Sequence, residues 1–322
     1  MRTSQLQPLA PEMTTTSTAP SDAGHFSLDH RLLRRRFENA APRCDETDVV
    51  VREISRRMDE RLDYIRIEPR RILDLGCGTG ADLPRLAQRF PHATLLAADF
   101  AAQMVTRAGV RLRAEAPQPG LLRRLLGGNP PSLPHLVASA DALPLARGSL
   151  GLVWSNLMFP ALDDPLPALK EIHRTLEVGG LLMFSTLGPD SLKELRTCLP
   201  NSAGERVHRF IDMHDLGDAL VGAGFSDPVM DMEILTLTYA DLDGLLHDLR
   251  ASGAANAAST RPRGLSGRAG WAKARAAYEA LRQNGRLPAT LEIIQGHAWK
   301  AAPKTTEDGR SIVRFQPRPA TR

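Results

Sequence analysis

The chain has 322 residues, enough for one large α/β domain with a substantial core. Its 41 basic and 37 acidic side chains leave a net charge of +4, too little to imply nucleic acid, and no apolar run approaches the ~20 residues that span a bilayer. The three cysteines, Cys44, Cys77 and Cys198, lie far apart with no CxxC or HxxxH spacing, which argues against a metal site or a disulfide framework and for a reduced, cytoplasmic protein.

Residues 1–25 are rich in Thr, Ser, Pro and Ala, carry one arginine and have no hydrophobic segment, so a disordered tail is expected rather than a secretory signal. One domain is expected over residues 26–315. After Asp48 the positions Val51, Ile54, Met58, Leu62 and Ile65 follow the spacing of an amphipathic helix, whose other face carries Arg52, Arg56, Arg57 and Arg61. Seven short apolar runs follow: Arg71–Leu75, Thr94–Ala98, Leu136–Ala138, Leu152–Trp154, Leu181–Ser185, Glu233–Tyr239 and Leu291–Gly296. The first five alternate with helical stretches, the pattern of βαβ units and a parallel, doubly wound sheet. Residues 111–135, rich in Pro, Gly and Arg, are expected to leave the surface between a helix and the third strand. Residues 186–228 and 241–281 are expected to form helices over the mouth of the sheet, a lid on one core.

The most specific phrase is RRILDLGCGTGADL, residues 70–83. A buried strand runs into Gly76-Cys77-Gly78-Thr79-Gly80, and Pro84 suits the first turn of the helix that follows. A dinucleotide site wants G-x-G-x-x-G with a pyrophosphate on the helix N-terminus. Here the third glycine comes one residue early and Asp74 stands in the strand end, where it would repel a pyrophosphate and welcome a cation such as an ammonium. Asp99, ending the second strand, is placed to accept both hydroxyls of a ribose. Asp141, in SADALPL after the third strand, is within reach of an adenine amino group. Three acids at successive strand ends outline a crevice for S-adenosylmethionine (SAM), against the plainer reading of a tight strand–helix turn with ordinary caps.

ILDLGCGTG, AADF, ADALPL and LVWSN resemble the motifs of class I SAM-dependent methyltransferases. That resemblance implies an α/β, Rossmann-like seven-stranded sheet with a reversed last strand. The flanking stretches RRFENAAPRCDETDVVVREISRRM, GGLLMFSTLGPDSLKELR, FIDMHDLGDALVGAGF and GHAWK resemble the BioC family, malonyl-acyl-carrier-protein O-methyltransferases of biotin synthesis, over about residues 30–315. It implies cofactor contacts at Asp74, Gly76, Cys77, Gly78, Gly80, Asp99, Phe100, Asp141, Ala142 and Asn156, and acceptor contacts at Arg31, Arg35 and Asn156, with backbone capping the plainer role for Asn156. It also implies malonyl-acyl-carrier protein as partner. An acidic carrier calls for a basic rim, for which Arg31, Arg34, Arg35 and Arg36, the arginine face of the next helix and, more weakly, Arg123 and Arg124 are the candidates.

The chain departs from the BioC pattern at four places. Cys44 stands where an aromatic, often Tyr, is usual, and Ala161 where a Trp follows the SN dipeptide; Gly151 replaces an Asp and Ala101 a Ser. The first two fall near the transferring methyl, so a methyltransferase for another small acid or thioester is the alternative. A further one is a non-methylating assembly or hydroxylase-like role, since a mitochondrial relative of the family is an arginine hydroxylase, although no facial pair of His with a carboxylate appears at a suggestive spacing. His297 and Trp299 share one strand face and are expected to pack rather than react.

Overall fold

A computed structural model of the chain describes residues 26–115, 134–199, 204–264 and 267–303. The expected tail, Arg123 and Arg124 lie outside the described residues. Seven strands form one sheet in the order β3-β2-β1-β4-β5-β7-β6. They are β1 (Arg71–Leu75), β2 (Thr94–Asp99), β3 (His135–Val137), β4 (Leu150–Asn156), β5 (Leu176–Leu187), β6 (Ser226–Tyr239) and β7 (Leu287–Trp299). The first five pair in parallel, and β7 runs antiparallel to both β5 and β6. Each of the seven apolar runs therefore became a strand, and the last is the reversed one.

Nine helices are described: α1 (His30–Ala40), α2 (Val49–Arg61), α3 (Leu83–Arg89), α4 (Ala102–Glu115), α5 (Pro165–Thr175), α6 (Lys193–Cys198), α7 (Met213–Gly222), α8 (Leu242–Ala251) and α9 (Arg268–Glu279). They sandwich the sheet, because β4 is buried on both faces and needs apolar cover on each. On one face Ile54 and Met58 of α2, Leu83 and Leu86 of α3 and Ala108 of α4 pack with Ile72, Trp154 and Met183. On the other, Leu169 and Ile172 of α5 and Leu216 and Leu220 of α7 pack with Leu73, Val153 and Phe184. Trp299 packs against the first cluster, the strand role expected of it, and His297 beside it is partly buried.

Two expectations need correction. The stretch 186–228 does not act as one cover: α6 joins α8 and α9 against Leu287, Ala289 and Leu291 at the start of β7, whereas α7 packs beneath the sheet on α5. The missing part of the cover is the N-terminal segment. Leu28 pairs with Ala258, the Asp29 amide donates to the Ala257 carbonyl at 2.8 Å, and α1 lies between α4 and α8. The arginine face of α2 is also not a free rim. Arg52 pairs with Asp48, Arg56 with Glu53 and Glu60, Arg57 with Glu53 and Glu233, and Arg61 with Asp231. The bridges to Glu233 and Asp231 tie α2 to the edge strand β6.

Among the described residues no helix is long and apolar enough to cross a membrane.

Candidate active site

The site is built at the carboxyl ends of β1, β2 and β4, where helices on both faces leave a crevice. The glycine loop turns sharply after β1: the amides of Gly76 and Cys77 donate to the Ala98 carbonyl at 2.8 and 3.0 Å, pinning the loop to the end of β2. Gly78 and Gly80 both have positive φ, +52° and +80°. They differ in what surrounds them. A Cβ on Gly80 would lie 2.9 Å from the backbone of Ala108 on α4, so this glycine lets loop and helix touch; a Cβ on Gly78 would meet nothing within 4 Å, so this one faces open space.

Asp99 holds the loop from β2. Its Oδ2 accepts from the Gly78 amide at 3.0 Å and its Oδ1 from the Ala101 amide at 2.8 Å, which leaves each oxygen a further lone pair toward the crevice. Burial raises its pKa to about 6, opposed by the amides of Ala101, Gly78 and Phe100. Asp74 is more strained electrostatically. It is 2% exposed, its Oδ2 finds no donor among the described residues, and burial together with Asp82 and Asp99 pushes its pKa well above the usual carboxylate range. A buried acid with an orphaned oxygen beside two further acids is a place for a cation.

Asp82 has no place among the sequence candidates. It stands at the N-cap of α3 but makes no cap hydrogen bond with its side chain. Instead its Oδ2 accepts from Trp154 Nε1 at 2.7 Å and from Asn156 Nδ2 at 3.1 Å. Asn156 Nδ2 also donates to the Val51 carbonyl at 3.1 Å, and its Oδ1 accepts from the Ser185 hydroxyl at 2.8 Å. These bonds brace β4 against α2 and α3 and occupy the Asn156 amide within the protein. The next residue, Leu157, takes a left-handed conformation, φ +57°, with its amide held by the Ser185 hydroxyl at 2.9 Å. That turn lays Met158 over the glycine loop, where a Cβ on Gly76 would be 2.5 Å from the Met158 side chain. A left-handed leucine costs on the order of 1 kcal/mol and leaves no mark in a sequence pattern.

The N-terminal segment closes the site from above. The Thr79 hydroxyl donates to Asp45 at 2.5 Å, and Arg111 of α4 pairs with Asp45 at 2.8 Å and reaches the Thr79 oxygen at 3.3 Å. The segment after α1 is thereby latched onto the glycine loop. Phe37 meets Phe100 edge to face, centroids 5.4 Å apart, and both pack with Leu28, Leu33, Ala161 and Ala257. Cys44 packs beside Phe37 with Ala41 and Met104, so Cys44 and Ala161 fall on clusters that share one ring. The loop carrying Ala161 is held from three sides: His208 donates to the Pro160 carbonyl at 2.7 Å, and Asp163 accepts from the Leu28 amide at 2.7 Å and meets His30 at 2.9 Å.

A family model for a methyltransferase domain matches residues 73–184, which begin in β1 beside Asp74 and end in β5. The malonyl-[acyl-carrier protein] O-methyltransferase of Gallionella capsiferriformans is 46% identical over 291 residues, 90% of this chain and 97% of that protein. The enzyme of the same name from Laribacter hongkongensis is 47% identical, covering 91% and 97%. The chain belongs to the malonyl-[acyl-carrier protein] O-methyltransferase family. The crystal structure of the YcgJ protein of Bacillus subtilis shares the fold alone, with a TM-score of 0.51, 13% identity and coverage of 76% of this chain and 98% of that one.

In this family the cofactor is SAM, and the crevice suits it. The orphaned Asp74 oxygen faces where a cationic group is wanted, Gly78 opens onto space a ligand can fill, and Asp99 has lone pairs for ribose hydroxyls. Phe100 lies beside Asp99 at the crevice. Cys77 turns its side chain away into the core below, where burial, Asp74 and Asp99 raise its pKa, so only its backbone serves the loop. Asp141 and Ala142 are exposed, in a turn closed by the Ala142 amide on the Ser139 carbonyl at 3.2 Å. Two of the departures from the family pattern have structural correlates. A Cβ on Gly151 would lie 2.9 Å from Pro69, so the strand needs a glycine, and Ala101 serves Asp99 through its backbone amide.

Proposed function

We propose that the protein transfers the methyl group of SAM to the free carboxylate of a malonyl-acyl-carrier protein, in the cytoplasm, as a step of biotin synthesis. The observation that carries this is the extent of the likeness: 44–47% identity to enzymes of that name runs over about 90% of the chain, through α1 and the lid that enclose the acceptor side.

When bound, SAM supplies a methyl group on a sulfonium, an electrophile that a carboxylate can attack directly. The chain's own residues have two tasks. Asp74 and Asp99 hold the donor at one end of the crevice. Phe37, Phe100, Leu33, Ala161 and Ala257 pack as an apolar cluster, which in this reading keeps water from the acceptor. A malonyl carboxylate is ionised at neutral pH, so no general base is needed and catalysis reduces to placing the oxygen in line with the methyl. Arg31 and Arg35, exposed on α1, are the cations we assign to meeting the anionic acceptor. Asn156 acts in this reading as the brace under the site.

The test is genetic. Expression of the protein in a bacterium that needs biotin because it lacks this methyl transfer restores growth without biotin. Failure to restore it, by a folded protein that binds SAM, refutes the proposal and points to another small acid or thioester as acceptor.

A further inference from the structure

Positive charge gathers beside α1 without matching acid. Arg36 turns inward and donates to the Asn256 carbonyl; burial lowers its pKa, and Arg261 and Arg35 add to the shift. Arg261 and Arg263 approach from the loop after α8. Arg261 pairs with Asp29 at 3.0 Å, and Arg263 acts on the same carboxylate through space. Among the described residues, three guanidiniums, those of Arg36, Arg261 and Arg263, thus share Asp29, with Arg35 beside Arg36. This contrasts with α2, where every arginine has its own acid.

The same loop borders a cavity. Asn256 and Arg261 help line a space of about 280 Å³ between α6, α8 and α9, with Leu246, Leu249 and Trp271 as apolar walls and Arg250 exposed beside them. Apolar side chains with a Trp at the centre and arginines around them are the composition of a protein-binding surface. Its location matters as much as its chemistry. Leu33 and Phe37 of α1, and Ala257 of the loop, pack on their inner side into the apolar cluster assigned above to the acceptor side. A partner seated on the outer side of these elements stands next to the chamber its thioester arm has to enter.

We propose that Arg35, Arg36, Arg261 and Arg263, with the lid cavity and its Arg250, form the docking surface for the acidic face of the acyl-carrier protein. This rests on the reaction proposed above. Carrier proteins are small and strongly acidic, so a surplus of guanidiniums speeds encounter and fixes orientation, and the interaction weakens with salt.

The experiment uses Arg250→Glu and Arg263→Glu, singly and combined, two exposed side chains outside the methyl-transfer chamber. Four quantities are measured: the affinity for malonyl-acyl-carrier protein at low salt, methyl transfer to malonyl-pantetheine (the arm without its protein), the affinity for SAM and the melting temperature. The expected result is carrier binding at least tenfold weaker in the double variant, with SAM affinity, melting temperature and turnover of malonyl-pantetheine kept. Carrier affinity equal to the wild type overturns the docking surface. So does a parallel loss of SAM affinity and malonyl-pantetheine turnover, which would mark a structural role. A wild-type protein that binds the carrier yet methylates neither thioester overturns the reaction instead, so the two failures are distinct.

Discussion

Asp99 carries two duties that pull on its proton in opposite directions. Burial holds its pKa at about 6 in the folded protein, above the value of an ordinary aspartate, so the folded state keeps a proton that the unfolded chain has already lost. Its contribution to stability therefore falls as pH rises from about 3.8 to about 6, the reverse of a salt-bridged carboxylate. SAM has the opposite demand, since its hydroxyls and cationic groups favour the ionised acids. Calorimetry between pH 5 and pH 8 is expected to show affinity rising through about pH 6, with proton release on binding; a flat profile contradicts the assignment. Asp82 is tested by stability. Asp82→Ala strands the Trp154 Nε1–H in the core and removes one partner of Asn156, which costs about 2–3 kcal/mol in denaturant unfolding. Asp74 and Asp99 stand out in the sequence because acids at strand ends beside a glycine loop have few other uses. Asp82 does not, because an Asp before a helix normally caps it, and only the fold brings Trp154 and Asn156 within reach.

At the scale of elements, the contacts of Asp45 with Thr79 and Arg111 join the N-terminal segment to the glycine loop, and their loss is expected to shorten the stay of the cofactor. Arg111→Ala removes the cation that pairs with Asp45 and leaves Thr79 as the one bridge. At about 1 kcal/mol for such a bond, SAM is expected to dissociate roughly fivefold faster in stopped-flow release, with the fold intact. An unchanged rate would mean that the segment is held by Phe37 and Phe100 alone. The sequence suggests a cover in 186–228 and 241–281, whereas helix α7 packs beneath the sheet. Length marked 186–228 as unusual, but α7 follows an apolar pattern that fits the underside of a sheet as well as its mouth. The remaining part of the cover, α1, belongs to a segment whose Leu28 and Asp29 dock on Ala258 and Ala257, partners more than two hundred residues away. The arginines of α2 were misjudged for a similar reason. Glu53 and Glu60 stand at helical spacing from them, but Asp231 and Glu233 reach them only once β6 has joined the sheet edge.

For the whole molecule, the sheet was the most legible level, since apolar runs alternating with helices admit few other arrangements. All seven runs became strands, and each strand extends at most a few residues beyond its run except β5, β6 and β7, whose pairing with one another lengthens them. The donor site is proposed from one loop and three acids. The cluster proposed for the acceptor side is not legible in the same way, because α1, the loop at Ala161 and the loop at Ala257 meet there and no local motif announces them together. The central claim is that this chamber receives a malonyl carboxylate. Intact-mass measurement of malonyl-acyl-carrier protein after incubation with the enzyme and SAM tests it directly. The account predicts a gain of one methylene mass, about 14 units, on the malonyl group, which leaves with that group when the thioester is cleaved. A carrier whose mass is unchanged, in the presence of enzyme that binds SAM, contradicts it.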